Sequence, residues 1–108
     1  MRIQLKTEIP GPRSKEIMNR RRAAVARGPF HGTPVFVARA RGAVIEDVDG
    51  NELLDFASGI AVTNLGHCPD DIVQATHAQV DKFLHTSFNV VPYEGYVELA
   101  ERLNPGRG

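Results

Sequence analysis

Asp55-Phe56-Ala57-Ser58-Gly59-Ile60-Ala61-Val62-Thr63-Asn64-Leu65-Gly66-His67 is the stretch on which the reading of this chain turns. Leu53, Leu54 and Phe56 end an apolar strand that runs straight into a small-residue loop, Ala57-Ser58-Gly59. A short apolar patch follows, then a tight turn at Asn64-Leu65-Gly66. Glycines at this density let backbone approach backbone, or a ligand, with no side chain in between. So small and apolar a loop makes a poor solvated surface. It reads as a loop pressed into a crevice, where binding residues tend to sit.

Upstream, residues 43–56 read as a β-hairpin: Val44 to Val48, a turn at Asp49-Gly50-Asn51, then Glu52 to Phe56. Asp-Gly between two apolar runs is a strong hairpin signal. Residues 35–40 read as a further short strand. Pro10, Gly11 and Pro12 make residues 1–14 an extended arm, and Ser14 is the expected N-cap of a helix over 15–27 that Gly28-Pro29 ends.

Downstream, Pro69-Asp70-Asp71 opens a helix running to about Leu84, its acidic first turn suited to the positive end of the helix dipole. Val73, Val80 and Phe83 fall on one stripe of it. Residues 85–91 read as a loop, and Pro92 as the first position of a helix through about Leu103 with Tyr96, Leu99 and Leu103 inward. Asn104-Pro105-Gly106 stops it. The fold class is α+β: a helix, an antiparallel hairpin and two helices. That inventory is short of a self-contained fold, because the apolar loop has little within the chain to press against.

A length of 108 residues allows one domain. Thirteen Lys and Arg balance thirteen Asp and Glu, so no general pull toward nucleic acid or anionic membrane exists. One cysteine, Cys68, excludes an internal disulfide framework and suits a reducing compartment. The first residues lack the apolar core of a signal peptide, and no apolar run approaches a bilayer's thickness; a cytoplasmic location is expected.

Other chemistries read poorly. His31, His67, His77 and His85 lack ligand spacing for zinc. In Asp47-Val48-Asp49-Gly50-Asn51-Glu52 the glycine is fourth rather than sixth, so a calcium loop is disfavoured against the hairpin. Arg20-Arg21-Arg22 splay around a helix, with no interleaved aromatic, and read as a solvated face rather than an RNA-binding one. His67 and Cys68 are sequence neighbours and make a poor base–nucleophile pair; His67 is expected to bond backbone in a turn.

DFASGIAVTNLGH at 55–67, followed by LHTSFNVVPYEGYVELAERLN at 84–104, resembles the class III (omega) aminotransferases, and within them the 4-aminobutyrate type. The resemblance runs from about Lys15 to Asn104 and makes residues 15–108 the N-terminal segment of a longer enzyme. It implies a pyridoxal-phosphate-dependent, fold-type-I enzyme, a homodimer or higher oligomer, passing an amine from an amino-acid donor through the cofactor to 2-oxoglutarate. It implies that Ile60 lines the substrate pocket; from the residues alone Ile60 reads as core packing or as such a wall. It places Phe88 and Asn89 near the substrate entrance and subunit boundary, where an ordinary loop is the other reading.

Gly66-His67-Cys68-Pro69-Asp70 departs from the family's G-H-x-H-P, which puts the start of the following helix in question. The chain's only lysines, Lys6, Lys15 and Lys82, do not stand in the family's catalytic-lysine context, so no catalytic residue is expected here and the cofactor's main ligands should lie elsewhere. Two alternatives stay open: a truncated, non-catalytic paralogue acting as an interaction module, and a fragment of the ornithine or acetylornithine type.

Overall fold

The Asp49-Gly50 turn forms as expected, and much of the first half of the chain is fastened to it. In a computed structural model describing residues 3–104 and 106, the chain divides into two units, Met1–Ile72 and Val73–Gly108. Helix α1 (Pro12–Ala24) is followed by strands β1 (Val37–Arg41), β2 (Val44–Asp47) and β3 (Glu52–Leu54), a helical turn α2 (Ser58–Ala61), and helices α3 (Asp70–Val80) and α4 (Glu94–Leu103). This is the expected α+β inventory. The strands form one antiparallel sheet in the order β1-β2-β3, with Val44 opposite Leu54 and Ile45 opposite Leu53. The strand expected at 35–40 therefore lies two residues later at its start and joins the hairpin as a third strand, bulged between Val37 and Arg39.

Asp47 and Asn51 hold the turn together. Asp47 Oδ1 accepts the N–H groups of Asp49 and Asn51 at 2.9 and 2.8 Å, and Asn51 Nδ2 donates to Asp47 Oδ2 at 2.9 Å. Gly50 supplies the positive φ, +81°, that the turn needs. Asn51 Oδ1 also accepts the N–H groups of Lys6 and Thr7, at 2.6 and 2.8 Å, and Glu52 N–H donates to the Gln4 carbonyl at 2.8 Å. Residues 4–7 are thereby tied to the hairpin.

The same turn caps α1. The Asp49 carboxylate accepts the N–H groups of Arg13 and Ser14 at 2.7 and 2.9 Å, satisfying two of the free donors of the helix start where the dipole favours a negative charge. Ser14 is therefore not the N-cap. It lies buried within the first turn, and the helix begins at Pro12 rather than 15. Gly11 is required beside it: a Cβ there would stand 2.3 Å from the Asp49 Cγ. The helix also ends earlier than expected, at Ala24, because Val25 is extended with φ −97° and ψ 133°.

In the second unit α3 ends at Val80 rather than near Leu84. Gln79 Nε2 donates to the Phe83 carbonyl at 3.0 Å, within an irregular turn over 81–83. Pro92 lies ahead of α4, whose N-cap is Tyr93, so it is not the first helical residue. The stop at Asn104 holds: its Nδ2 and backbone N–H both donate to the Ala100 carbonyl at 3.0 Å. Among the described residues no hydrophobic side chain is buried; the buried polar residues there are Ser14, Asp47 and Asn51. No described helix is long and apolar enough to cross a membrane.

Candidate functional site: the left-handed turn at Ile60

β3 ends at Leu54, and Asp55 continues its ladder by donating its N–H to the Ala43 carbonyl at 2.9 Å. The Asp55 side chain then turns back on the loop that follows. Its Oδ1 accepts the N–H groups of Ala57 and Ser58, each at 2.9 Å, and its Oδ2 accepts His67 Nε2–H at 2.6 Å. The side chains are 7% and 21% exposed. The hydrogen bond from His67, then that from Ser58, holds the Asp55 carboxyl below its usual range, with Ala57 adding to this and burial opposing it.

Between these two residues the backbone is left-handed. Ser58, Gly59, Ile60 and Ala61 have φ of 51°, 56°, 58° and 68°. Only Gly59 takes this conformation freely. The left-handed helical conformation costs an L-residue roughly 1–2 kcal/mol, and a β-branched residue such as Ile60 rarely adopts it. Ile60 N–H donates to the Ala57 carbonyl and Thr63 N–H to the Ser58 carbonyl, both at 2.9 Å. The expected small-residue loop is thus a strained helical turn, α2.

The result is a displayed apolar residue. Ile60 is 93% exposed, with Phe56 at 92% and Val62 and Leu65 also exposed. Core packing within this chain is excluded as the role of Ile60. A depression of about 400 Å³ beside the turn is lined by Val62, Leu65, Pro69 and Ile72, among others. The loop returns at His67, whose N–H and carbonyl exchange hydrogen bonds of 2.8 and 2.9 Å with Gly42. The expected backbone bonding of His67 is present, but its ring bonds Asp55. The departure at Cys68-Pro69 is accommodated by a positive φ of 50° at the exposed Cys68, and α3 starts at Asp70 as expected.

Phe88 and Asn89 belong to the second unit. The Phe88 ring stacks on Tyr96 with centroids 4.2 Å apart and meets Tyr93 edge-on at 5.4 Å. Asn89 is exposed, its Oδ1 accepting Ser87 Oγ–H at 3.0 Å. Phe88 thus anchors the 85–91 segment on α4, whereas Asn89 is presented at its surface.

The residues here do not fit pyridoxal phosphate as its main site. Lys6, Lys15 and Lys82 are all exposed. A phosphate favours free N–H groups at a helix start, but those of α1 are engaged by Asp49, α3 opens on Asp70 and Asp71, and α4 opens on Glu94.

Sequence reasoning singled out the apolar loop that carries Ile60 and missed the Asp55–His67 contact at its base. The signal was a carboxylate at a strand end and a histidine closing a glycine-bounded apolar loop. The loop is carried by the hairpin and held at its base by Asp55 and His67. The aminotransferase class-III family matches residues 24–107, and the chain belongs to that family. It is 55% identical over 108 residues to the 4-aminobutyrate aminotransferase of Mycobacterium tuberculosis, covering 97% of this chain and 24% of that one. It is 47% identical over 91 residues to the 5-aminovalerate aminotransferase of Pseudomonas putida, covering 84% of this chain and 21% of that one. An omega-transaminase structure from Sphaerobacter thermophilus superposes with a TM-score of 0.76 at 32% identity, covering 88% of this chain and 22% of that one. The chain spans about a quarter of the length of the curated relatives it matches.

Proposed function

We propose that this chain is the N-terminal part of a pyridoxal-phosphate-dependent omega-aminotransferase, dimeric and cytoplasmic, that moves the amine of a 4-aminobutyrate-like donor to 2-oxoglutarate. Its own contribution is an apolar pocket wall at Ile60 and a share of the dimer surface that includes the Phe88–Asn89 segment. The cofactor, its lysine and its phosphate cradle belong to polypeptide outside these residues. The observation that carries this reading is Ile60, 93% exposed on a strained turn in a chain 55% identical to 4-aminobutyrate aminotransferases. An exposed isoleucine held in a costly backbone conformation has its use outside the chain. An apolar wall suits the methylene chain of an omega-amino acid, each buried CH₂ being worth about 0.8 kcal/mol.

The test is made in the Mycobacterium tuberculosis enzyme with its matching segment exchanged for this chain. Ile60→Ala should lower kcat/KM for 4-aminobutyrate by roughly 5- to 30-fold, as expected for about 1–2 kcal/mol of lost apolar contact. An unchanged kcat/KM contradicts the pocket-wall role.

The absence of any buried hydrophobic side chain among the described residues supports a second reading, the interaction module. A chain that folds by docking on another protein would show the same exposed apolar turn. The two differ in whether activity follows from assembly with the remainder of an aminotransferase.

A further inference from the structure

The left-handed turn raises the question of what holds it. Packing within the chain does not: Phe56, Ile60, Val62 and Leu65 are all exposed. Local preference does not either, since three of the four residues from Ser58 to Ala61 are non-glycine with positive φ. A conformation of this kind persists only where its surroundings over-determine it. The hydrogen bonds inside the turn are all local, and similar bonds close ordinary right-handed turns.

What remains is polar and sits at the base of the loop. One oxygen of Asp55 takes the N–H groups of Ala57 and Ser58 at 2.9 Å and so fixes the entry to the turn. The other oxygen takes His67 Nε2–H at 2.6 Å and so fixes the exit. His67 is itself anchored by the paired backbone bonds with Gly42, on the β1–β2 turn. The carboxylate therefore joins both ends of the loop to the sheet, and it is the one side chain in it that bonds to both.

We infer that Asp55 and His67 are positioning residues: their contact holds Ser58–Ala61 left-handed and thereby directs Ile60 away from the chain. The consequence for substrate binding rests on the pocket-wall reading above; the conformational consequence does not. The pair touches no reacting atom in this account. It acts on Ile60 through the backbone, so its loss should alter how tightly substrate is bound rather than the chemistry.

The experiment has two arms. In the full 108-residue chain, nuclear Overhauser effects between the amide and Hα protons of Ser58, Ile60 and Ala61 report positive φ, while Val44–Leu54 cross-strand effects report the sheet. The unsubstituted chain should show both. Asp55→Ala and His67→Ala should each lose the positive-φ pattern and keep the sheet. Asp55→Asn keeps an acceptor for Ala57 and Ser58, and its Nδ2 can donate to His67 Nε2 in the imidazole's other tautomer, so it should retain the pattern. Persistence of the pattern in both alanine variants overturns the inference. So does its absence from the unsubstituted chain, since the pair is then insufficient to hold the turn.

In the exchanged aminotransferase, His67→Ala should raise KM for 4-aminobutyrate roughly 10-fold with kcat changed less than about twofold. A fall in kcat with KM unchanged contradicts the positioning role. If the first arm succeeds and neither His67→Ala nor Ile60→Ala alters KM, the pocket-wall reading fails while the hold of Asp55 and His67 on the turn stands.

Discussion

Gly66 packs directly against Gly42: a Cβ built on Gly66 would stand 3.2 Å from the Gly42 Cα. Gly66 also has φ +88°. This close approach of two backbones lets the paired hydrogen bonds between Gly42 and His67 form and brings the far end of the apolar loop back to the sheet. Both demands, the space and the dihedral, select glycine.

Gly66→Ala should therefore weaken the loop closure by about 1–3 kcal/mol. Amide exchange of His67 and Gly42 measures this, and both should exchange faster while the β2–β3 amides are unaffected. Unchanged protection at His67 contradicts the role given to the contact.

Asn51 is fully buried and bonds the arm, the turn and Asp47 at once. Asn51→Ala leaves the part-buried N–H groups of Lys6 and Thr7 without their acceptor, at about 1–3 kcal/mol for each group left unpaired. Their exchange should quicken by roughly 5- to 150-fold. Asn51→Asp keeps the acceptor but brings a second carboxylate against Asp47, so it should not restore the wild-type pattern.

Acid should loosen both carboxylate-held features. Burial pushes the Asp49 carboxyl up, but the N–H groups of Ser14 and Arg13 outweigh it and leave the carboxyl below the ordinary 3.8. Asp55 also lies below 3.8, held there first by His67. A carboxylate whose folded value is depressed contributes stability that is fully present above its unfolded value and is lost as pH falls through the folded one. The α1 start and the 55–67 loop should thus be intact at pH 5 and lose protection below about pH 4. Asp49→Asn and Asp55→Asn should remove that pH dependence at their own sites, and its persistence in both would contradict the assignment.

The chain by itself should not take up pyridoxal phosphate through a lysine. Lys6, Lys15 and Lys82 are exposed, and none lies in the desolvated pocket that a lysine uses for this chemistry. Absorption spectra of the chain mixed with the cofactor should show no stable band of a lysine-bound form. A band abolished by changing one particular lysine contradicts this.

What could be read from the sequence was the local chemistry. Asp49-Gly50 announced its turn because Gly50 meets a dihedral that its neighbours cannot, and Asn104 announced the end of α4. What could not be read was distant. Ser14 carries the composition of an N-cap, yet the cap is Asp49, thirty-five positions further on. Ile60 was legible as an apolar residue after a glycine, but its left-handed backbone runs against its own preference and depends on Asp55 and His67. Gln79 similarly bonds the Phe83 carbonyl just past the end of α3, a contact that periodicity does not register.

The central claim is that these residues are one part of an aminotransferase and complete it by contact. Its most direct test is to co-express this chain with the remaining three quarters or so of the Mycobacterium tuberculosis 4-aminobutyrate aminotransferase, the part its match leaves uncovered. The account predicts that the two pieces purify together and transaminate 4-aminobutyrate, while neither does so alone. A chain that stays separate from its counterpart, or a stable complex without activity, would contradict it.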